Sequence, residues 1–151
     1  ETGQVTEAGD EMLGLGEAAV CVRCHAPEDR GGKTAAAMRE QIDTLRAEYD
    51  KAYTILQKAE HAGMEVSQAQ FELNEAKNAL VKARANVHAF AIEAVKGAIE
   101  PGLQISAKAY ERGVRALEEL QFRRKGLAVS VVIILALIGG LVFKIRQLER
   151  R

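Results

Sequence analysis

The residues most capable of chemistry are Cys21, Cys24 and His25, which stand together in one five-residue segment of the chain. Their C-x-x-C-H spacing is the attachment signal for a c-type haem. Two thiols at this spacing can add across the two vinyl groups of a haem, and the histidine that follows is then held under the iron as its proximal ligand. The segment therefore predicts one covalently bound haem c, with His25 as an iron ligand.

Other roles for the two cysteines account for less of the segment. A structural zinc site needs four ligands, and the chain has no further cysteine. A thioredoxin-like redox pair needs alternating strands and helices around it, and no strand pattern is visible. A disulfide across so short a loop leaves His25 without a role. Metal binding and redox chemistry of the thiols stay open as alternatives to haem.

Charge divides the chain into two unequal parts. The overall formal charge is zero, but residues 1–122 hold 20 acidic and 14 basic residues, whereas residues 123–151 hold one acidic and seven basic residues. The basic residues flank an apolar segment, so they indicate a membrane helix rather than a nucleic-acid-binding patch. No nucleic acid is expected as a partner. The chain begins at Glu1 without a methionine, which is typical of a cleaved signal peptide or of the later part of a longer protein.

Four segments follow from this pattern. Residues 1–20 are an acidic arm with no helical or strand period, and residues 21–32 are the haem-attachment loop, which ends in two glycines. Residues 33–122 are a helical haem domain. Residues 123–151 are a transmembrane helix with basic flanks, because residues 126–143 carry no charge and are numerous enough to cross a bilayer.

The helical domain shows apolar residues at alternating spacings of three and four, the pattern of packed helices. The first such seam runs from Met38 to Ala59 and the second from Val66 to Ala94, with a break between them near Gly63. A third helix is expected to begin at Pro101, with its buried face formed by Leu103, Ala107, Tyr110, Val114 and Leu117. The predicted fold class is all-α: a long antiparallel helical hairpin or a three-helix bundle, with one C-terminal transmembrane helix.

A second iron ligand is sought among the remaining histidines and the methionines. His61 lies at the far end of the first predicted helix, roughly 40 Å from its start at a rise of 1.5 Å per residue. The second helix returns along the first and brings His88 to within about 10 Å of that start, so His88 is the predicted sixth ligand. His61, a methionine (Met12, Met38 or Met64), a ligand from a partner and an open site stay as alternatives.

Through Cys21, Cys24 and His25 the chain resembles c-type cytochromes. This resemblance implies haem attachment outside the bacterial cytoplasm, and so a single-pass protein of the bacterial inner membrane with its haem domain in the periplasm and its C-terminus in the cytoplasm. One haem motif followed by long antiparallel helices, with His88 in the second, is also similar to the C-terminal part of multihaem cytochromes of the nitrite reductase and hydroxylamine oxidoreductase group. That weaker likeness covers roughly residues 15–120.

The expected function is electron transfer rather than catalysis, because a six-coordinate haem held by His25 and His88 leaves no open position for a substrate. The expected partners are the lipid bilayer and a membrane redox complex or other cytochrome subunits in a respiratory or photosynthetic assembly. The apolar seams favour a homo- or hetero-oligomer. Two alternatives stand beside this one: a part or subunit of a multihaem enzyme, and a structural coiled-coil membrane subunit with a stabilising haem.

Overall fold

Three α-helices form the protein in a computed structural model that describes residues 12–87 and 89–150. A short 3₁₀ turn, Cys21–Arg23, precedes α1 (Arg30–His61), α2 (Ser67–Val87) and α3 (Ile92–Glu149). The described residues include no strand. Because α3 packs along both α1 and α2, the all-α prediction is confirmed, and the hairpin and bundle alternatives resolve to a three-helix bundle.

The core consists of two clusters, one toward each end of the bundle. The cluster nearer the Cys21–His25 segment joins all three helices and contains Met38, Ile42, Leu45, Ala79, Leu80, Ala83, Val95 and Ile99. The other cluster contains Ala52, Leu56, Ala59, Val66, Ala69, Leu73, Ala76 and Ala109. These lists contain most of the predicted seams of α1 and α2, so the heptad pattern identified their buried faces correctly.

The boundary between the second and third helices was predicted in the wrong place. α2 ends at Val87 and α3 begins at Ile92, so the boundary does not lie at Pro101, which is inside α3. Phe90 has a φ of 51°, in the left-handed region, and Ala91 is extended, so no helix continues through these two residues. Pro101 is tolerated because it lies on the exposed face with Gly97, so water can reach the carbonyl that the proline leaves without a backbone donor.

The buried face of α3 is also shifted by one residue from the prediction. Its buried positions after Ile99 are Gly102, Ser106, Ala109 and Gly113, whereas Ala107 and Tyr110 are exposed. Only small residues fit at these positions because the helices approach closely. A methyl group at Gly102 would lie 2.8 Å from Leu45 Cδ2. The prediction followed the larger apolar side chains, of which Leu103 and Leu117 are only partly buried and flank the core.

This close approach predicts opposite effects for the same substitution at two glycines of α3. Gly102→Ala forces a methyl group into the contact with Leu45 and is expected to lower the free energy of unfolding by about 1–3 kcal/mol. Gly97→Ala points into open space and is expected to raise it by about 0.5–1 kcal/mol through helix propensity. Denaturant unfolding followed by circular dichroism measures both. Equal effects at the two positions would contradict the packing.

Beyond the bundle, α3 continues as a single unpacked helix. The helix has 58 residues, or roughly 87 Å at 1.5 Å per residue. It is the one described helix long and apolar enough to cross a membrane, and its most apolar window has a mean hydropathy of 2.8 with none of its residues buried. Residues 126–143 therefore present apolar side chains on every face, as a membrane-spanning helix does.

Part of the predicted acidic arm is described and part is not. Residues 12–20 form a closed loop in which the amide of Val20 donates to the carbonyl of Met12 at 2.9 Å. Ala19 is buried, and Gly14 lies against the side chain of Arg39 on α1. Residues 1–11 of the arm, as well as Arg151, lie outside the described residues.

Candidate haem-attachment site

The Cys21–His25 segment is folded into one tight turn. The amides of Cys24 and His25 both donate to the carbonyl of Cys21, at 3.2 and 3.0 Å. This turn brings two thiols and one imidazole from five consecutive residues into a single surface feature. Both cysteines are free thiols, Cys24 exposed and Cys21 partly so. Cys24 at least is therefore open to a bulky reactant, as thioether formation requires.

His25 is fixed from two sides by the bundle. Its imidazole stacks on the ring of Phe90, with centroids 5.4 Å apart and planes inclined by 24°. On its other flank lies Gly31 in the first turn of α1, where even a methyl group would overlap the ring. Gly32 leaves room in the same way for the carbonyl of Ala26. The two glycines, predicted to end the loop, instead start α1 and form the surface on which the loop is seated.

Asp29 ties the loop to the start of α1. As the N-cap residue of α1, its carboxylate accepts from the amide of Gly32 at 2.6 Å and from that of Ala26 at 3.0 Å. The backbone amide of Gly32 is the main reason that the pKa of this carboxyl lies below its usual value. The same carboxylate lies 3.6 Å from His25 Nδ1. An imidazole whose Nδ1 faces a carboxylate has its Nε2 directed away and available to a metal.

The lowered pKa of Asp29 predicts a loss of order at this site in acid. A carboxyl whose pKa is depressed in the folded state stabilises that state above the unfolded pKa, and the benefit is lost as the pH falls through the folded pKa. We therefore expect the protection of the Gly32 amide, relative to its intrinsic exchange rate at the same pH, to fall once the pH drops below about 4, the ordinary carboxyl pKa. Hydrogen exchange measures this, with Asp29→Asn as the control that retains a capping acceptor but does not titrate.

Three of the candidates for a second iron ligand lie far from His25 or inside the core. His61 ends α1 and lies roughly 45 Å along that helix from its start, so it is not brought to His25. Met64 packs in the cluster at that same distant end, and Met38 is completely buried in the core. Met12 is different: it is 46% exposed, and its backbone is bonded to Val20, next to Cys21.

His88 itself lies outside the described residues, but the residues on both sides of it do not. Val87 ends α2, and Phe90 provides the ring that stacks on His25. Phe90 therefore lies against the Cys21–His25 segment, and His88 as the sixth ligand stays a prediction. His88 and Met12 are the two candidates whose neighbours in sequence lie at this end of the bundle.

Sequence reasoning missed two residues of this site. Asp29 carried a usable signal, since an aspartate three residues before a glycine amide at a helix start is a common N-cap. The sequence signal at Phe90 was misleading, because its spacing continued the apolar seam of α2 although the chain turns there with a positive φ.

In the described part of the chain, no group of three or more His, Cys, Asp or Glu side chains could hold a metal ion.

Comparison of the chain with models of known protein families, with characterised proteins and with solved structures finds no match. Its function is therefore inferred from its own residues. A c-type haem requires two thiols and one imidazole in one turn on the surface, and Cys21, Cys24 and His25 lie in one such turn.

Proposed function

We propose that the protein is a membrane-anchored monohaem c-type cytochrome that transfers electrons as a subunit of a larger redox assembly. The observation that carries this proposal is the turn that presents Cys21, Cys24 and His25 together, with the imidazole fixed against Phe90 and Gly31. When bound, the haem supplies reversible one-electron exchange between ferric and ferrous iron. The electron is exchanged with a membrane redox complex or with other cytochrome subunits.

The residues of the chain have separate tasks in this scheme. Cys21 and Cys24 would hold the haem, each thiol adding to one vinyl group: a sulfur–carbon bond would form, the thiol hydrogen would pass to the neighbouring vinyl carbon, and no oxidant would be consumed. His25 provides the proximal imidazole, with Asp29 orienting its ring. His88 is the proposed sixth ligand, so that the protein acts as an electron carrier and not as a catalyst.

The last segment of α3 serves in this proposal as a single-pass anchor. Its support is the exposed apolar stretch of residues 126–143, with basic residues on both flanks. By resemblance to c-type cytochromes, the bundle faces the periplasm of a bacterial inner membrane and the C-terminus faces the cytoplasm.

The bundle also determines how far the haem stands from the bilayer. His25 is stacked on Phe90, immediately before α3 begins at Ile92, and the apolar stretch begins at Gly126. The helix between these residues is roughly 50 Å long at 1.5 Å per residue. If α3 stands upright, the haem lies at the membrane-distal end of a helical stalk. The partners that exchange electrons with it are then expected to project well out of the membrane, and not to be small carriers dissolved in it.

The proposed sixth ligand is tested by replacing the two candidates one at a time. His88→Ala is expected to convert the iron of the reduced protein to a form that binds carbon monoxide, whereas Met12→Ala is expected to leave the spectrum unchanged. Low-temperature electron paramagnetic resonance and near-infrared spectra distinguish two histidines from a histidine and a methionine. The reverse result would assign the ligand to Met12, and rapid carbon monoxide binding by the unaltered protein would contradict a closed electron carrier.

A further inference from the structure

A cleft of about 380 Å³ lies beside the candidate haem-attachment site, lined by Arg30, Lys33, Thr34, Ala37 and Ile92. Four of these residues lie on one face of the first two turns of α1, and Ile92 begins α3. Both walls of the cleft adjoin His25. On the α1 side, Gly31 follows Arg30 and lies under the imidazole of His25. On the α3 side, Phe90 precedes Ile92 by two residues and stacks on the same imidazole.

The two basic residues of this cleft lie where the dipole of their own helix disfavours positive charge. Arg30 and Lys33 lie in the first turns of α1, where the helix dipole is positive and acidic side chains are favoured. The first turn of α1 contains no acidic residue. Among the described residues, neither Arg30 nor Lys33 has an ion-pair partner, and both are exposed. Two cations added to the positive end of a helix do not help the fold, but together they attract an anion.

The cleft combines this positive edge with an apolar floor. Ala37 and Ile92 supply apolar surface, while Arg30 and Lys33 supply donors suited to carboxylates. Building on the proposed function, we infer that Arg30 and Lys33 bind the propionate carboxylates of the covalently attached haem, whose apolar ring edge lies against Ala37 and Ile92. Asp29, one residue away, does not compete, because its carboxylate already accepts from the amides of Gly32 and Ala26.

A larger cleft on another side of α1 suits this ligand less well. It has a volume of about 530 Å³ and lies between Gly14 and the residues around Arg39. Its arginine is paired with Asp43 at 2.5 Å, and Glu40 adds a second carboxylate to the lining. These carboxylates would repel a propionate, so the smaller cleft is the one that matches the charge of the haem.

The experiment measures the haem midpoint potential in Arg30→Gln, Lys33→Gln and the double variant of the full chain. A cation beside a propionate favours the reduced iron, so its removal lowers the potential. We expect the double variant to shift the ratio of ferrous to ferric protein at a fixed applied potential by about threefold toward ferric, which is about 30 mV for one electron. Arg30→Lys, which retains the charge, is expected to restore the original potential.

Lys58→Gln is the matched control, because it makes the same change of charge in the last turn of α1, far from the site. A potential that is unchanged in the double variant, or shifted equally by Lys58→Gln, would overturn the inference while leaving the covalent haem in place. Absence of haem mass on the unaltered denatured protein would instead overturn the proposed function. Circular dichroism measures whether each variant is folded. If the double variant is not folded, the midpoint potentials of the single variants are compared instead.

Discussion

Replacement of both Cys21 and Cys24 by alanine is expected to remove all haem from the denatured protein. The two thioethers are the proposed covalent links, and a coordinate bond from His25 alone does not survive denaturation. Because the two residues lie on a short surface turn and outside both core clusters, their loss should leave the bundle folded. Intact mass and haem staining after denaturing electrophoresis measure the result.

The two single variants and one neighbour complete this experiment. Cys21→Ala and Cys24→Ala each leave one thiol, so each is expected to retain haem through one thioether. Val22→Ala changes a residue between the cysteines that belongs to neither core cluster, and it is expected to retain the full haem content. Haem that stays on the denatured double variant would show that attachment occurs elsewhere, and a colourless unaltered protein would end the cytochrome proposal altogether.

Removal of residues 126–151 is expected to move the protein completely from the membrane fraction to the soluble fraction. The deleted stretch is the only part of the described chain apolar enough to cross a membrane, and none of its most apolar window is buried against the bundle. Both core clusters, with the partly buried residues packed on them, lie within residues 13–117. The truncated chain should therefore keep its helices, its thermal unfolding and its haem, because none of these depends on the deleted residues.

Alkaline carbonate extraction of membranes measures this separation. A chain that ends at Arg146 retains the whole uncharged stretch of residues 126–143 and is the matched control, expected to stay in the membrane pellet. If the chain without residues 126–151 still resists extraction, another surface holds it to the membrane. If that chain loses its helical signal, the tail contributes to the bundle in a way that its exposure does not indicate.

The sequence was sufficient where a local pattern has one physical meaning. An uncharged stretch of 18 residues bounded by bases is a candidate membrane span in any fold, and the structure shows it unpacked. The heptad spacing from Met38 to Ala59 identified the buried face of α1, because large apolar residues on that face have no other place to be buried. The C-x-x-C-H segment likewise predicts its chemistry from five residues.

The sequence was insufficient where the outcome depends on neighbouring helices. On α3 the larger residues Leu103 and Tyr110 suggested one face, yet Gly102 and Gly113 are buried because Leu45 and Ile55 already fill the space. The turn before Ile92 was placed too late, since Pro101 is a strong local signal for a helix start and Phe90 continued an apolar pattern. In both cases the energy of packing against another helix outweighed the local preference.

What the sequence determined by itself is therefore the set of parts: a C-x-x-C-H motif, helices with apolar seams, and one uncharged stretch long enough to cross a membrane. What only the tertiary structure decided is their arrangement, because a stack of His25 on Phe90 joins residues 65 positions apart and no local pattern records it. That contact places the motif at the start of α3, with the apolar stretch at the far end of the same continuous helix. The distance between them follows from the rigidity of the α-helix.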